Sequence, residues 1–275
     1  MTPSPAHRIT QENPVNGGAA AAGLDEIGMA GVDPAGLLLA LLATGPDIER
    51  GLADTLRMIA DGLDPAVWVA ARPSLAAQIA PMLTPLTDRE SGMIQPLGYG
   101  RRVPVLLDRV AEIDPDLAQA TLMVWGKGLK TEGSLDLSNR TWVTAVPEDM
   151  SIGWWLMLDG CRNLKSVGGN LRVEKSLCLR GCEALEKLPD GVSVGMCMFL
   201  DGCVSLTSIG KRTVVQNVHP TGVRGDIYTR DCKKLETVPE DLETAHFHLE
   251  RASSLGRERE YSLRSMAPKV KSWER

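Results

Sequence analysis

Residues 156–167 read LMLDGCRNLKSV, and the same spacing of apolar residues returns five more times along the chain. The other copies lie at residues 135–146 (LDLSNRTWVTAV), 177–188 (LCLRGCEALEKL), 198–209 (MFLDGCVSLTSI), 227–238 (IYTRDCKKLETV) and 247–255 (FHLERASSL). Successive copies are 21, 21, 21, 29 and 20 residues apart when measured at their sixth residues, which are Arg140, Cys161, Cys182, Cys203, Cys232 and Ala252. A nearly constant step of about twenty residues predicts a solenoid of about six stacked coils.

Each copy predicts one coil. Leu156 and Leu158 are two residues apart, so both side chains point to the same side of a short strand. A single strand cannot bury that side alone, but stacked copies form a parallel sheet over a continuous core. The sequence therefore predicts an α+β fold in which the paired leucines line the core and the residues between them face outward.

The cysteines follow the repeat. Four of the six occupy the sixth position of successive copies and are expected to form a column inside the solenoid. Neighbouring strands lie about 4.8 Å apart, and side chains in such a column do not converge on one point as zinc ligands do. We therefore expect no metal, no cofactor, and reduced, buried thiols in a cytoplasmic protein.

The pattern changes on both sides of the repeats, which occupy residues 131–255. Residues 1–22 lack periodicity and predict a disordered N-terminus. Residues 23–130 predict a helical domain that covers the open end of the first coil, and a separate binding function of this domain is the alternative. Residues 256–275 carry interleaved charges and predict a C-terminal cap or tail.

Helix boundaries follow from three Asp-Pro pairs at Asp33, Asp64 and Asp114, because Asp caps a helix and Pro fits its first turn. The predicted helices are residues 34–43, 46–61, 65–83 (interrupted near Pro73), 103–113 and 115–125. Residues 84–102, rich in Pro and Gly, predict a loop. The helical domain contains no His and no Cys, which removes the commonest general base and the strongest common nucleophile. We therefore predict no catalytic residue.

The outward face of the sheet is the candidate binding surface. Its middle column is mostly apolar or aromatic and reads Asp136, Met157, Cys178, Phe199, Tyr228 and His248. One neighbouring column alternates in charge and reads Ser138, Asp159, Arg180, Asp201, Arg230 and Glu250. The column on the other side reads Ser134, Trp155, Ser176, Cys197, Asp226 and His246. Apolar side chains in a row on an exposed sheet predict a protein-binding surface. Coverage of this face by the protein's own loop or tail is the alternative.

The 29-residue step contains an insertion of about eight residues between Ile209 and Ile227. Insertions in solenoids form loops on one side and often bind partners. The candidate contact residues of this loop are Lys211, Arg212, His219 and Arg224, with a tolerated surface loop as the alternative.

Together, these motifs resemble the leucine-rich repeat family over about 121 residues. The pairs Val146-Pro147, Leu188-Pro189 and Val238-Pro239 are most similar to its short bacterial repeats, although Cys stands where those repeats usually have Asn. The resemblance implies a short solenoid with its parallel sheet on a concave face, and binding of a protein partner there. It also implies an alternative, a bacterial effector that a specialised secretion system delivers into a host cell.

The composition narrows the class of partner. A formal charge of −5 does not favour nucleic acid, and the longest apolar run, residues 37–43, is too short to cross a membrane. We predict a non-catalytic protein-interaction module. An enzyme with its site in the helical domain and a purely structural component are the alternatives from other classes.

Overall fold

The computed structural model describes residues 48–91, 99–100, 102–216, 225–249 and 270–274. Within these residues, four helices precede a parallel β-solenoid of about five turns in residues 130–248. The helices are α1 (Ile48–Gly62), α2 (Pro65–Ser91), α3 (Arg102–Ala111) and α4 (Pro115–Gly126). The fold class of helices followed by a parallel solenoid is thus confirmed. The predicted N-terminal disorder and the helix at 34–43 lie outside the described residues.

The second helix differs from the prediction in two respects. Pro73 does not interrupt α2, and the helix continues through residues 84–91, which were predicted as loop. A proline inside a helix removes one backbone hydrogen bond. Here the apolar stripe continues on both sides of it, because Trp68, Leu75 and Ile79 are all buried in one core. Tertiary packing therefore outweighs the local cost of the proline.

The strands are short, mostly two or three residues. In chain order they are β1 (Tyr99–Gly100), β2 (Lys130–Thr131), β3 (Ser134–Asp136), β4 (Ala145–Val146), β5 (Ser151–Ile152), β6 (Leu156–Met157), β7 (Ser166–Val167), β8 (Arg172–Val173), β9 (Leu177–Cys178), β10 (Ser193–Val194), β11 (Cys197–Phe199), β12 (Val214–Val215), β13 (Asp226–Tyr228), β14 (Thr244–His248) and β15 (Val270–Glu274).

These strands form three parallel sheets. One has eight strands in the order β1-β3-β6-β9-β11-β13-β14-β15, one has five in the order β12-β10-β8-β5-β2, and one pairs β4 with β7. Only the first of these sheets was predicted from the sequence. The strands of the other two are too short to show a period of two in the sequence.

The register of the eight-stranded sheet follows the repeat step. Its paired positions are Leu135, Leu156, Leu177, Met198, Ile227, Phe247 and Trp273. In the five-stranded sheet, Val194 and Val215 still pair 21 residues apart. The eight extra residues of the long step are therefore 217–224, which lie outside the described residues.

The cysteine column lies inside the solenoid and binds adjacent coils together. Cys161, Cys182, Cys203 and Cys232 are at most 1% exposed. Each Sγ–H donates to a backbone carbonyl of the preceding coil at 3.0–3.2 Å. The sixth position of the repeat thus supplies both a small apolar side chain and a hydrogen bond between coils.

Glycine recurs immediately before the cysteine because the backbone there is left-handed. Gly160, Gly181 and Gly202 have φ of 74°, 68° and 76°, and the same position holds Asn139 at 61° and Asp231 at 60°. This conformation costs other L-residues energy, whereas Gly, Asn and Asp tolerate it. The repeat therefore requires one of these three residues at this turn.

The helical part packs on the first coil through the residue that replaces the cysteine. Arg140 donates from Nε and Nη2 to the two carboxylate oxygens of Asp108 in α3, at 2.8 and 2.7 Å. Trp142 Nε1–H donates to the same carboxylate at 2.9 Å. In α4, Gln119 donates to Ala145 O at 3.0 Å and accepts from Thr144 N at 2.7 Å. The amide therefore pairs with backbone groups around β4, and the buried cores of helices and solenoid are continuous.

A second ion pair holds the helices together. Asp114 is 4% exposed and caps α4 by accepting from the backbone of Asp116 and Leu117. Its Oδ2 also accepts from Trp68 Nε1 at 2.6 Å and Arg72 Nε at 2.7 Å. Burial alone would raise the pKa of Asp114, but the hydrogen bonds from Arg72, Trp68 and Leu117 outweigh it and lower the pKa below its ordinary value.

We expect Asp114→Asn to lower the free energy of unfolding at pH 7 by about 2–3 kcal/mol, because it leaves the Arg72 guanidinium without its buried partner. Since the folded-state pKa is depressed, the stabilisation is present above the unfolded value of about 3.9 and is lost as the pH falls through the folded value. Urea unfolding between pH 7 and pH 2 should show a shallower decline for the variant. Parallel curves would contradict this assignment.

The thiols should fall into two classes in the native protein. Burial raises the pKa of Cys161 to about 11 and of Cys232 to about 12, and it raises those of Cys182 and Cys203 as well. Because the thiolate is the reactive form, iodoacetamide at pH 8 should modify these four only after unfolding. Burial also raises the pKa of Cys178, to about 11, and that of Cys197. These two side chains are each 9% exposed, so the reagent should reach them first.

Mass spectrometry of the modified peptides measures this order of reaction. A Cys178→Ser, Cys197→Ser variant is the control, and its native form should stay unmodified. Modification of the four column cysteines without unfolding would show that they do not lie in the core.

Candidate functional site

The predicted contact residues project from one side of the eight-stranded sheet. Leu156 and Leu158 are fully buried while Met157 between them is half-buried, so the expected alternation is present in β6. We call this side the ladder face. Its described residues are Ser134, Asp136, Ser138, Trp155, Met157, Asp159, Ser176, Cys178, Arg180, Cys197, Phe199, Asp201, Asp226, Tyr228, Arg230, His246 and His248.

Part of the middle column forms one continuous stack. The rings of Phe199 and Tyr228 lie 5.0 Å apart with planes 13° from parallel, and those of Tyr228 and His248 lie 4.4 Å apart at 4°. The guanidinium carbon of Arg180 lies 3.8 Å from the centroid of Phe199. Cation–π and ring-stacking contacts therefore cover the ring faces.

This stack changes the interpretation of the apolar row. The row was predicted to be exposed, but Cys178 is buried, and Phe199, Tyr228 and His248 are half-buried. Aromatic side chains directly opposite each other on adjacent strands stabilise a sheet. The aromatic half of the row thus has a structural role, and Met157 is the apolar member of the column that stands outside the stack.

The charged column pairs across the strands. Arg180 lies between Asp159 at 3.2 Å and Asp201 at 3.6 Å. The same carboxylates accept backbone hydrogen bonds from the next coil, Asp159 from Arg180 N at 2.8 Å and Asp201 from Arg230 N at 2.9 Å. Exposed ion pairs contribute at most about 1 kcal/mol each. Their main effect here is to fix the position of the Arg180 side chain.

The third column adds Trp155 to the face, and a second tryptophan, Trp154, lies beside it. Trp154 was not predicted from the sequence. Trp155 is half-buried, and its ring meets that of Trp154 edge to face at 6.3 Å and 70°. Trp154 is 37% exposed. It lies one residue outside the three predicted columns, at the turn that leads into β6, so the period of two gave no signal for it. Two adjacent tryptophans beside Met157 make an apolar patch at this end of the face.

At the other end, three polar residues meet. Tyr228 Oη–H donates to Asp226 Oδ2 at 3.1 Å, and His248 Nε2 lies 3.6 Å from the same oxygen. Asp226 Oδ1 is buried and accepts no hydrogen bond from the described residues. The rings of His246 and His248 are 6.2 Å apart.

Of the four residues predicted to lie in the insertion loop, two are among the described residues. Lys211 and Arg212 belong to a regular turn of the coil, because Lys211 N donates to Asp190 and Arg212 N donates to Asp241. Their assignment to the loop was wrong, since the register places the insertion after Gln216. The two other candidates, His219 and Arg224, lie outside the described residues.

A cleft of about 310 Å³ lies where α4 meets the two-stranded sheet. Its charged groups are Lys127 and Glu148, which pair with each other at 2.8 Å. The lining residues are Met123, Lys127, Ala145, Val146, Pro147, Glu148, Ser166, Val167 and Gly168. The cleft is separate from every residue of the ladder face.

In the described ranges, no group of three or more His, Cys, Asp and Glu side chains is arranged to hold a metal ion. None of the helices described is long and apolar enough to cross a membrane. Comparison with protein-family models, with curated proteins and with solved structures gave no match. The assignment of the ladder face as the candidate site is therefore based only on the geometry described above.

The ring stack predicts measurable coupling between coils. We expect the double-mutant cycle Phe199→Leu and Tyr228→Leu to give an interaction energy of about 0.5–1.5 kcal/mol in urea unfolding. Met157→Leu with Tyr228→Leu is the control pair, since three strand spacings separate them, and its effects should add within about 0.5 kcal/mol. Equal coupling in both cycles would contradict the stack.

Proposed function

We propose that the solenoid is of the leucine-rich repeat type and that the chain is a non-catalytic protein-interaction module, binding a protein partner through the ladder face. The observation that carries the proposal is the patch of Trp154, Trp155 and Met157, with half-buried and exposed apolar side chains beside fixed charges. Trp, Met and Arg are enriched in protein interfaces and among their energetically dominant residues.

The dimensions of the face support an elongated partner. Eight strands spaced about 4.8 Å apart give a length of about 34 Å. An extended polypeptide of about ten residues has the same length at about 3.3 Å per residue. A polypeptide segment that lies across the strands could therefore contact every coil.

The contacts of each side chain show which position of the ladder face is suitable for a binding test. Phe199 and Tyr228 stack on each other, so changing them alters the sheet as well as the surface. Met157 takes part in neither the ring stack nor the ion pairs described above. A substitution there changes the surface without removing a ring contact or an ion pair.

We expect p-benzoylphenylalanine at position 157 of the full chain, irradiated in the cells that produce it, to form a discrete protein adduct. The adduct should disappear when Trp154→Glu is added, because the charge disrupts the apolar patch. The matched control places the same amino acid at Ser166, an exposed position in the two-stranded sheet. Circular dichroism melts establish that each variant is folded.

Denaturing gels and mass spectrometry give the readout. The proposal fails if positions 157 and 166 yield the same adducts, or if Trp154→Glu leaves the adduct at position 157 unchanged. Absence of any adduct at position 157 in a folded variant also contradicts it.

A further inference from the structure

The charges on the ladder face are unbalanced. Among its described residues, four carboxylates project from it and two guanidinium groups oppose them, an excess of two negative charges with His neutral. The carboxylates are Asp136, Asp159, Asp201 and Asp226, and the guanidinium groups are Arg180 and Arg230.

We propose that the ladder face takes a basic, partly apolar polypeptide segment, whose Lys or Arg side chains reach Asp136 and Asp226. This inference rests on the proposed function and names the chemistry of the partner. Asp136 precedes Met157 in the middle column, and Asp226 lies two residues before Tyr228 on β13, in the neighbouring column.

The central charges already have partners. Arg180 pairs with both Asp159 and Asp201, and its guanidinium also lies over the Phe199 ring. Asp201 further accepts from Arg230 N. A partner gains little by competing with these contacts, because it would have to break an existing pair to form a new one.

The carboxylates of Asp136 and Asp226 differ from those of Asp159 and Asp201, because neither pairs with Arg180. The carboxylate of Asp136 accepts one hydrogen bond, from Ser138 N at 2.9 Å, and forms no ion pair within the described ranges. Arg140 Nη1 donates to the backbone carbonyl of Asp136 at 3.2 Å, while its Nε and Nη2 are paired with Asp108. Asp226 receives the Tyr228 hydroxyl on Oδ2, while its buried Oδ1 accepts nothing within the described part of the chain. The Asp226 side chain is 18% exposed, so a cationic N–H donor that approaches from solvent meets the carboxylate at Oδ2. A charge-assisted hydrogen bond of this kind is stronger than a neutral one.

The spacing specifies the segment further. Asp136 in β3 and Asp226 in β13 are four strand spacings apart in the sheet, and two residues apart along the strand direction. At about 4.8 Å per strand, this separation is about 20 Å. An extended segment covers it in about six residues. The inferred ligand therefore has two basic residues about six positions apart, with apolar residues between them that contact Met157.

Selection from a displayed library of random twelve-residue peptides on the immobilised full chain tests this directly. We expect the selected peptides to carry Lys or Arg at a spacing near six, with Leu or aromatic residues between. Fluorescence anisotropy of a selected peptide should show binding about tenfold weaker to Asp136→Asn and to Asp226→Asn, each of which removes one charged hydrogen bond.

Glu174→Gln is the matched control, because Glu174 is exposed and directly follows β8 of the five-stranded sheet. It should change binding less than twofold. Binding should also weaken as salt rises from 50 to 500 mM. If Asp226→Asn lowers the melting temperature, Asp136→Asn alone decides the outcome.

Selected peptides without an excess of basic residues would overturn the inference, as would equal binding to wild type and to Asp136→Asn. A selection that yields no binder to the wild type also counts against it. Failure here is distinguishable from failure of the proposed function, because an adduct specific to position 157 would still show a protein partner, one of different charge.

Discussion

Parallel stacking of coils in register is the constraint on which the rest of this structure depends. A strand of two residues satisfies its backbone only when the next coil lies beside it at the same height, so every coil depends on its neighbours. The step of 21 residues keeps Leu135, Leu156 and Leu177 paired. The thiol of the sixth position then adds a hydrogen bond to the preceding coil. A coil of this kind is not stable alone. The first and last coils each have a neighbouring coil on one side only, so their open sides must be covered by other parts of a protein.

At the N-terminal end of the stack, one residue of the repeat differs. Arg140 occupies the position that is cysteine in the next four coils, and it forms an ion pair with Asp108 in α3. In α4, the side-chain amide of Gln119 forms hydrogen bonds with backbone groups of Thr144 and Ala145, as the backbone of a neighbouring strand would. Strand β1 pairs with β3 at the edge of the eight-stranded sheet. Helices and solenoid thus share one core.

The ladder face combines structural and surface roles in a single column. The stack of Arg180, Phe199, Tyr228 and His248 strengthens contacts between coils and covers its own ring faces. In the proposed mode of binding, a partner contacts the tryptophan and methionine patch at one end and the carboxylates of Asp136 and Asp226, and it leaves the stack intact. Stability and the proposed binding would then depend on different residues of one sheet.

Spacing along the chain predicts the repeat step, the inward leucines, the cysteine column and most helix boundaries. The path of α2 through Pro73, the regular turn at Lys211 and the contact of Trp154 with Trp155 become visible only in the folded structure. The first two of these depend on contacts between residues in different coils or helices. Stacking distances and packing across a core have no counterpart in local spacing, and this is why the aromatic row was predicted but its stack was not.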